Sequence, residues 1–162
     1  IDLHMYLNQH CKEALNICDF IKSLQITMDD LNQTAETGII EGVTNTMIKG
    51  LEKLQLHERP IHCSDTKRDI MYIKDKNVWD KDNNNEKLKR TIEKIADKQL
   101  QSFSTWEEGY PNYLDSEAGK NKYVDFIGNA SIDLNEDKKK MNKIIKIIGK
   151  EVYLPKDDIC NI

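Results

Sequence analysis

Apolar residues recur at helical spacing through most of the chain. Leu7, Cys11, Ala14, Leu15, Cys18 and Ile21 follow the 3.6-residue period, and a break at 16–19 divides this stretch into two helices, with Asp19 as the cap of the second. Thr27 and Asp30 stand three apart, as the two halves of a capping box do, and predict a helix to about 37. Gly38 suits a left-handed C-terminal position. A second helix over 41–54 would bury Ile40, Val43, Met47 and Leu51. Helix, short glycine turn, helix is the helix-turn-helix order.

The period then shortens to two. Ile61 and Cys63 alternate with His62 and Ser64, 69–74 is rich in β-formers, 75–77 is a turn, and Val78-Trp79 opens a returning strand. A hairpin directly after a helix-turn-helix is the order of a winged helix, with 75–77 at the wing tip. Beyond a polar linker at 80–85, an amphipathic helix over 86–103 carries Leu88, Ile92, Ile95, Ala96 and Leu100. Gly109-Tyr110-Pro111 breaks it, a shorter helix covers 117–127, and a last one over 136–149 turns Met141, Ile144, Ile145, Ile147 and Ile148 inward beneath a lysine-rich outer face. Pro155 opens a tail. The fold expected is therefore mainly α with a small β-hairpin: a winged-helix-like centre (27–82) flanked by additional helices. Residues 1–82 and 83–162 form two parts of one packed unit.

Composition narrows the functional classes. The chain has 162 residues, 38% hydrophobic and 32% charged, enough apolar content for one packed domain. It carries no apolar run near 18 residues and no basic start followed by an apolar stretch, so neither a transmembrane helix nor a signal peptide is expected. It opens on Ile1, as a piece cut from a longer chain would. The net charge of -4 gives no overall basic surplus for nucleic acid. Locally the balance differs: 83–98 carries +2 and 136–150 carries +4, while 27–56 carries -3, 99–135 carries -4 and 57–82 is neutral. The two basic stretches are either solvated helix faces or a phosphate-binding surface.

Four cysteines, Cys11, Cys18, Cys63 and Cys160, suit a reducing compartment better than a disulfide framework. Cys11 and Cys18, two turns apart on one helix, would lie about 10 Å apart, too far to bridge, and read as small buried residues. Zinc at His57, His62 and Cys63 lacks a second ligand pair. No phosphate loop, dinucleotide fingerprint, nucleophile elbow or zinc-protease helix occurs, and His62 and Cys63, adjacent on a strand, point to opposite faces. No catalytic residue, metal or cofactor is expected.

The candidate contacts are cationic and aromatic. Lys67, Arg68, Lys74, Lys76 and Lys81 cluster on the loop and hairpin, with Trp79 and Tyr72 among them for base stacking. Asn45 and Lys49 lie on the outer face of the second turn-motif helix, where they can read base edges. Arg59 can fork onto a carboxylate, internal or a partner's. The interleaving of signs favours the other reading, in which the lysines pair with Asp65, Asp69, Asp75, Asp80 and Asp82 and Tyr72 and Trp79 lie in the core.

The run His57-Glu58-Arg59-Pro60-Ile61-His62-Cys63-Ser64-Asp65-Thr66-Lys67-Arg68-Asp69, continued by Ile70-Met71-Tyr72-Ile73-Lys74-Asp75 and Trp79-Asp80-Lys81-Asp82, resembles the C-terminal region of uncharacterised proteins of giant nucleocytoplasmic DNA viruses of the mimivirus-like and phycodnavirus-like groups. There the region often follows a zinc finger of the two-Cys two-His type. The resemblance spans about residues 7–100. It implies a viral protein of the host cytoplasm, viral factory or virion, and brings no settled activity. The finger is absent here, so its role does not transfer. The function expected is a non-catalytic module that binds nucleic acid, or, as the alternative, docks another viral or host protein in gene expression or assembly.

Overall fold

The computed structural model describes residues 2–160. Local chemistry marks the helix starts. Asp2 accepts from the Met5 N–H at the head of α1 (Leu3–His10), and Thr27 and Asp30 close a full capping box on α3 (Met28–Thr37). Ser116 and Asp137 cap α7 (Glu117–Ala130) and α8 (Lys138–Glu151) by accepting from Gly119 and Lys140. The remaining helices are α2 (Ile17–Ser23), α4 (Ile39–Glu52), α5 (Glu86–Gln101), α6 (Phe103–Gly109) and α9 (Lys156–Cys160).

Three details differ from the sequence reading. Asn16, not Asp19, stands at the cap of α2. Cys11 closes α1 while Cys18 lies in α2, so the two share no helix; Cys11 is buried and Cys18 exposed. The segment after Pro155 is helical, because Ile159 packs into the cluster that covers α1.

The β portion is a three-stranded antiparallel meander, β1 (Ile61–Asp65), β2 (Ile70–Asp75) and β3 (Val78–Lys81), rather than a lone hairpin. Lys76 and Asn77 both take positive φ, 50° and 68°, as a two-residue turn of the twisted type requires. The outer edge of β1 is not free. Cys63 N–H donates to the Val152 carbonyl and Leu154 N–H to the Cys63 carbonyl, both at 2.9 Å, so the extended segment after α8 shields that edge.

Both faces of the sheet are covered. Ile61, Cys63, Met71 and Ile73 point into the main core, with Val43 and Met47 of α4, Ile92 and Ile95 of α5, and Ile144 and Ile148 of α8. His62, Tyr72, Lys74 and Trp79 point the other way, beneath α1, the 11–14 segment and Leu154. A third cluster joins α3 to α6 and α7 around Leu31, Trp106 and Phe126.

Helix α4 sits at the centre, packed against α3, α5 and α8. Its Gly42 allows close approach: a Cβ there would lie 2.1 Å from Thr34 Oγ1. Gln99 of α5 occupies this junction, fully buried, donating to the Gly42 carbonyl at 2.9 Å and accepting from the Thr34 hydroxyl. A buried amide with both ends satisfied fixes the register of three helices.

Candidate functional site: a basic cleft and lysine belt

The nine residues singled out from the sequence separate into three groups. Two are corrected. Lys74 is only 6% exposed, and its ammonium donates to the carbonyls of Lys12 and Ala14 at 2.6 and 2.7 Å. Trp79 is 2% exposed, with its indole N–H donating to the Cys11 carbonyl at 2.9 Å. Each lies on the sheet face that α1 and the 11–14 segment cover, so neither reaches a ligand. Tyr72 is half-buried against the same cluster.

A second group is spread apart or already committed. Asn45 is half-buried on α4. Lys49 reaches Asp30 at 2.7 Å; against the opposing effect of burial, Lys49 and the Thr27 hydrogen bonds hold the Asp30 carboxyl below its ordinary range. Arg59 donates through Nε to the Leu51 carbonyl at 3.2 Å, closing the turn after α4. Lys76 is exposed at the β2–β3 turn, which is tied to the α1–α2 linker by reciprocal Asn16–Asn77 hydrogen bonds. This is the end of β2 opposite the β1–β2 turn, about 17 Å away.

The third group converges. Arg68 at the β1–β2 turn and Lys81 at the end of β3 line one open polar cleft of about 680 Å³ with Lys89 of α5 and the tract Asn83–Asn85. Lys67 is exposed beside Arg68. The floor carboxylates are engaged internally. Asp82 accepts from the N–H groups of Lys87 and Leu88, both at 2.9 Å, and so caps α5. Asp69 meets Lys146 of α8 at 2.9 Å. The cations are not so engaged. Arg68 is 81% exposed and 3.9 Å from Asp65, while Lys81 and Lys89 make no ion pair among the described residues.

The cleft continues onto α8 along two routes. Lys89 also lines a neighbouring hollow with Lys138 and Asn142. Lys146 donates to the carbonyls of Thr66 and Lys67, fastening α8 to the β1–β2 turn. From Lys146 the helical period places Lys139, Lys143 and Lys150 in one exposed stripe. Lys89, Lys138 and Lys146 were not among the nine; the signal for them was the local charge of 83–98 and 136–150.

His62 and Cys63 do not converge. Cys63 packs under α8, and burial pushes its thiol up to about 11; Cys11 is raised likewise. His62 lies against Trp79, ring centroids 5.9 Å apart, and burial, with the charge of Arg59 adding, lowers it to about 4. Among the described residues no three His, Cys, Asp or Glu side chains are grouped to hold a metal, and no helix is long and apolar enough to cross a membrane. Comparison of the chain with protein families, with curated proteins and with solved structures finds no match.

Proposed function

We propose that this protein is a non-catalytic binding module that holds nucleic acid by its phosphate backbone, through the cleft at Arg68, Lys81 and Lys89 and the adjoining α8 lysines. One observation carries the reading: among the described residues Lys81 and Lys89 pair with no carboxylate and Arg68 meets Asp65 only at 3.9 Å, while the carboxylates of the cleft are spent on Lys146 and the α5 N-terminus. A solvated, self-paired surface would show the reverse. Duplex fits better than single strand, because Trp79 and Tyr72, the residues suited to base stacking, are turned into the protein. The order α3, α4, sheet is winged-helix-like. In this proposal α4 is a packing helix rather than a reading helix, since Val43, Thr46, Met47 and Leu51 face its neighbours. A giant-virus setting, as the resemblance implies, suits such a backbone-holding module.

The test is fluorescence anisotropy with a labelled duplex at fixed low salt. Lys81→Glu and Lys143→Glu should each weaken binding about tenfold or more, and Lys76→Glu should leave it within about twofold. Equal losses in all three, or none, would contradict the proposed belt.

Protein docking is the second reading. It is favoured by a groove of about 360 Å³ lined by Tyr110, Pro111, Tyr113 and Lys122, with Leu114 and Val124 exposed. A silent duplex titration would make it the leading one.

A further inference from the structure

We infer that the cleft is a discrete site for a phosphate monoester, such as a nucleic-acid end or a free nucleotide, rather than one more contact to internal phosphates. The nucleic-acid source rests on the reading above; the monoester chemistry does not. Arg68, Lys81 and Lys89 come from a turn, a strand end and a helix, and meet in one concavity. The α8 lysines instead lie along a convex helix face. Charge selects the ligand. Arg68, Lys81 and Lys89 line the cleft with Lys67 beside them; Asp65, 3.9 Å from Arg68, and Asp82 offset two of these four positive charges, and Asp69 is offset by Lys146, so two positive charges stand unbalanced. An internal phosphodiester brings one negative charge, whereas a monoester brings about 1.5 to 2 at neutral pH. The monoester also offers three oxygens, enough for the Arg68 fork and the two ammonium groups at once. The exposed side chain of Asn84 adds an amide at the rim.

The experiment uses the full chain and two labelled duplexes, one bearing a terminal phosphate and the other a terminal hydroxyl. Adenosine monophosphate serves as a separate probe followed by backbone-amide chemical shifts. The phosphorylated duplex should bind about tenfold tighter, the effect of one added charge-assisted hydrogen bond. Lys81→Gln and Lys89→Gln should each erase that difference, while Lys143→Gln weakens both duplexes alike. The nucleotide should shift the amides of Arg68 and Asn83–Asn85. If both duplexes bind equally and the nucleotide shifts nothing, the monoester site is refuted and backbone binding stands. If neither duplex binds but the nucleotide shifts those amides, the site stands, its source is a free nucleotide, and the nucleic-acid reading falls. Silence from every probe overturns both.

Discussion

Acidification should loosen this protein in a window set by His62. The imidazole is 2% exposed on β1. Burial lowers it to about 4, whereas in an unfolded chain it titrates near 6.5. Between those values the unfolded chain takes up a proton that the folded protein refuses. Stability is therefore complete above about pH 6.5 and falls as pH drops toward 4. A difference of roughly 2.5 pH units corresponds to about 3 kcal/mol, a large part of the stability of a domain this size. Asp30, Asp65 and Asp137 are held below the ordinary carboxylate range by their hydrogen bonds and neighbouring cations, against the effect of burial at Asp30. Their contributions are present above that range and are lost only at lower pH. Urea unfolding followed by circular dichroism at about pH 7, 5.5 and 4.5 should show a steep fall in midpoint for the wild type and a much flatter one for His62→Phe. The comparison is between slopes, so the absolute stability of the variant does not matter. Equal slopes would refute the assignment.

Three further outcomes follow from packing. Gly42→Ala should destabilise by about 1–3 kcal/mol in thermal unfolding, because its methyl group would collide with Thr34 and disturb Gln99. Lys74→Met should cost a similar ~1–3 kcal/mol by leaving the Lys12 and Ala14 carbonyls without their donor, yet duplex affinity should not change; a loss of affinity would return Lys74 to the binding surface. In folded protein a thiol reagent should modify Cys18 while Cys11 and Cys63 react only on unfolding, as peptide mass spectrometry would show.

Much of the helical framework was legible because its signals are local. The Thr27–Asp30 capping box, the turn at Lys76-Asn77 and the apolar period of α5 and α8 each lie within a few residues. What covers the second face of the sheet was not legible. The strand period separates Met71 and Ile73 from Tyr72 and Lys74, but cannot say that α1, the 11–14 segment and Leu154 fold over the latter pair. Lys74 consequently read as a surface residue, and Trp79 stood between a stacking contact and the core. A lysine among aspartates looks solvated in a sequence, and only the fold shows it satisfied by backbone carbonyls. The third strand was half visible in the alternation at 61–64; its pairing with β2 and its cover by 152–154 depend on contacts distant in the chain. Local charge flagged α5 and α8 as basic, while the meeting of Lys89 with Arg68 and Lys81 is a product of topology.

The cations at Arg68, Lys81, Lys89 and along α8 are proposed to hold a phosphate backbone. Duplex affinity measured across salt from about 50 to about 200 mM tests this most directly. With about four phosphates neutralised, the slope of log affinity against log salt should be near -3.6, a loss of about a hundredfold over that range, and Lys81→Glu should make the slope shallower by about one. No binding at the lowest salt, or an affinity that does not respond to salt, would contradict the claim.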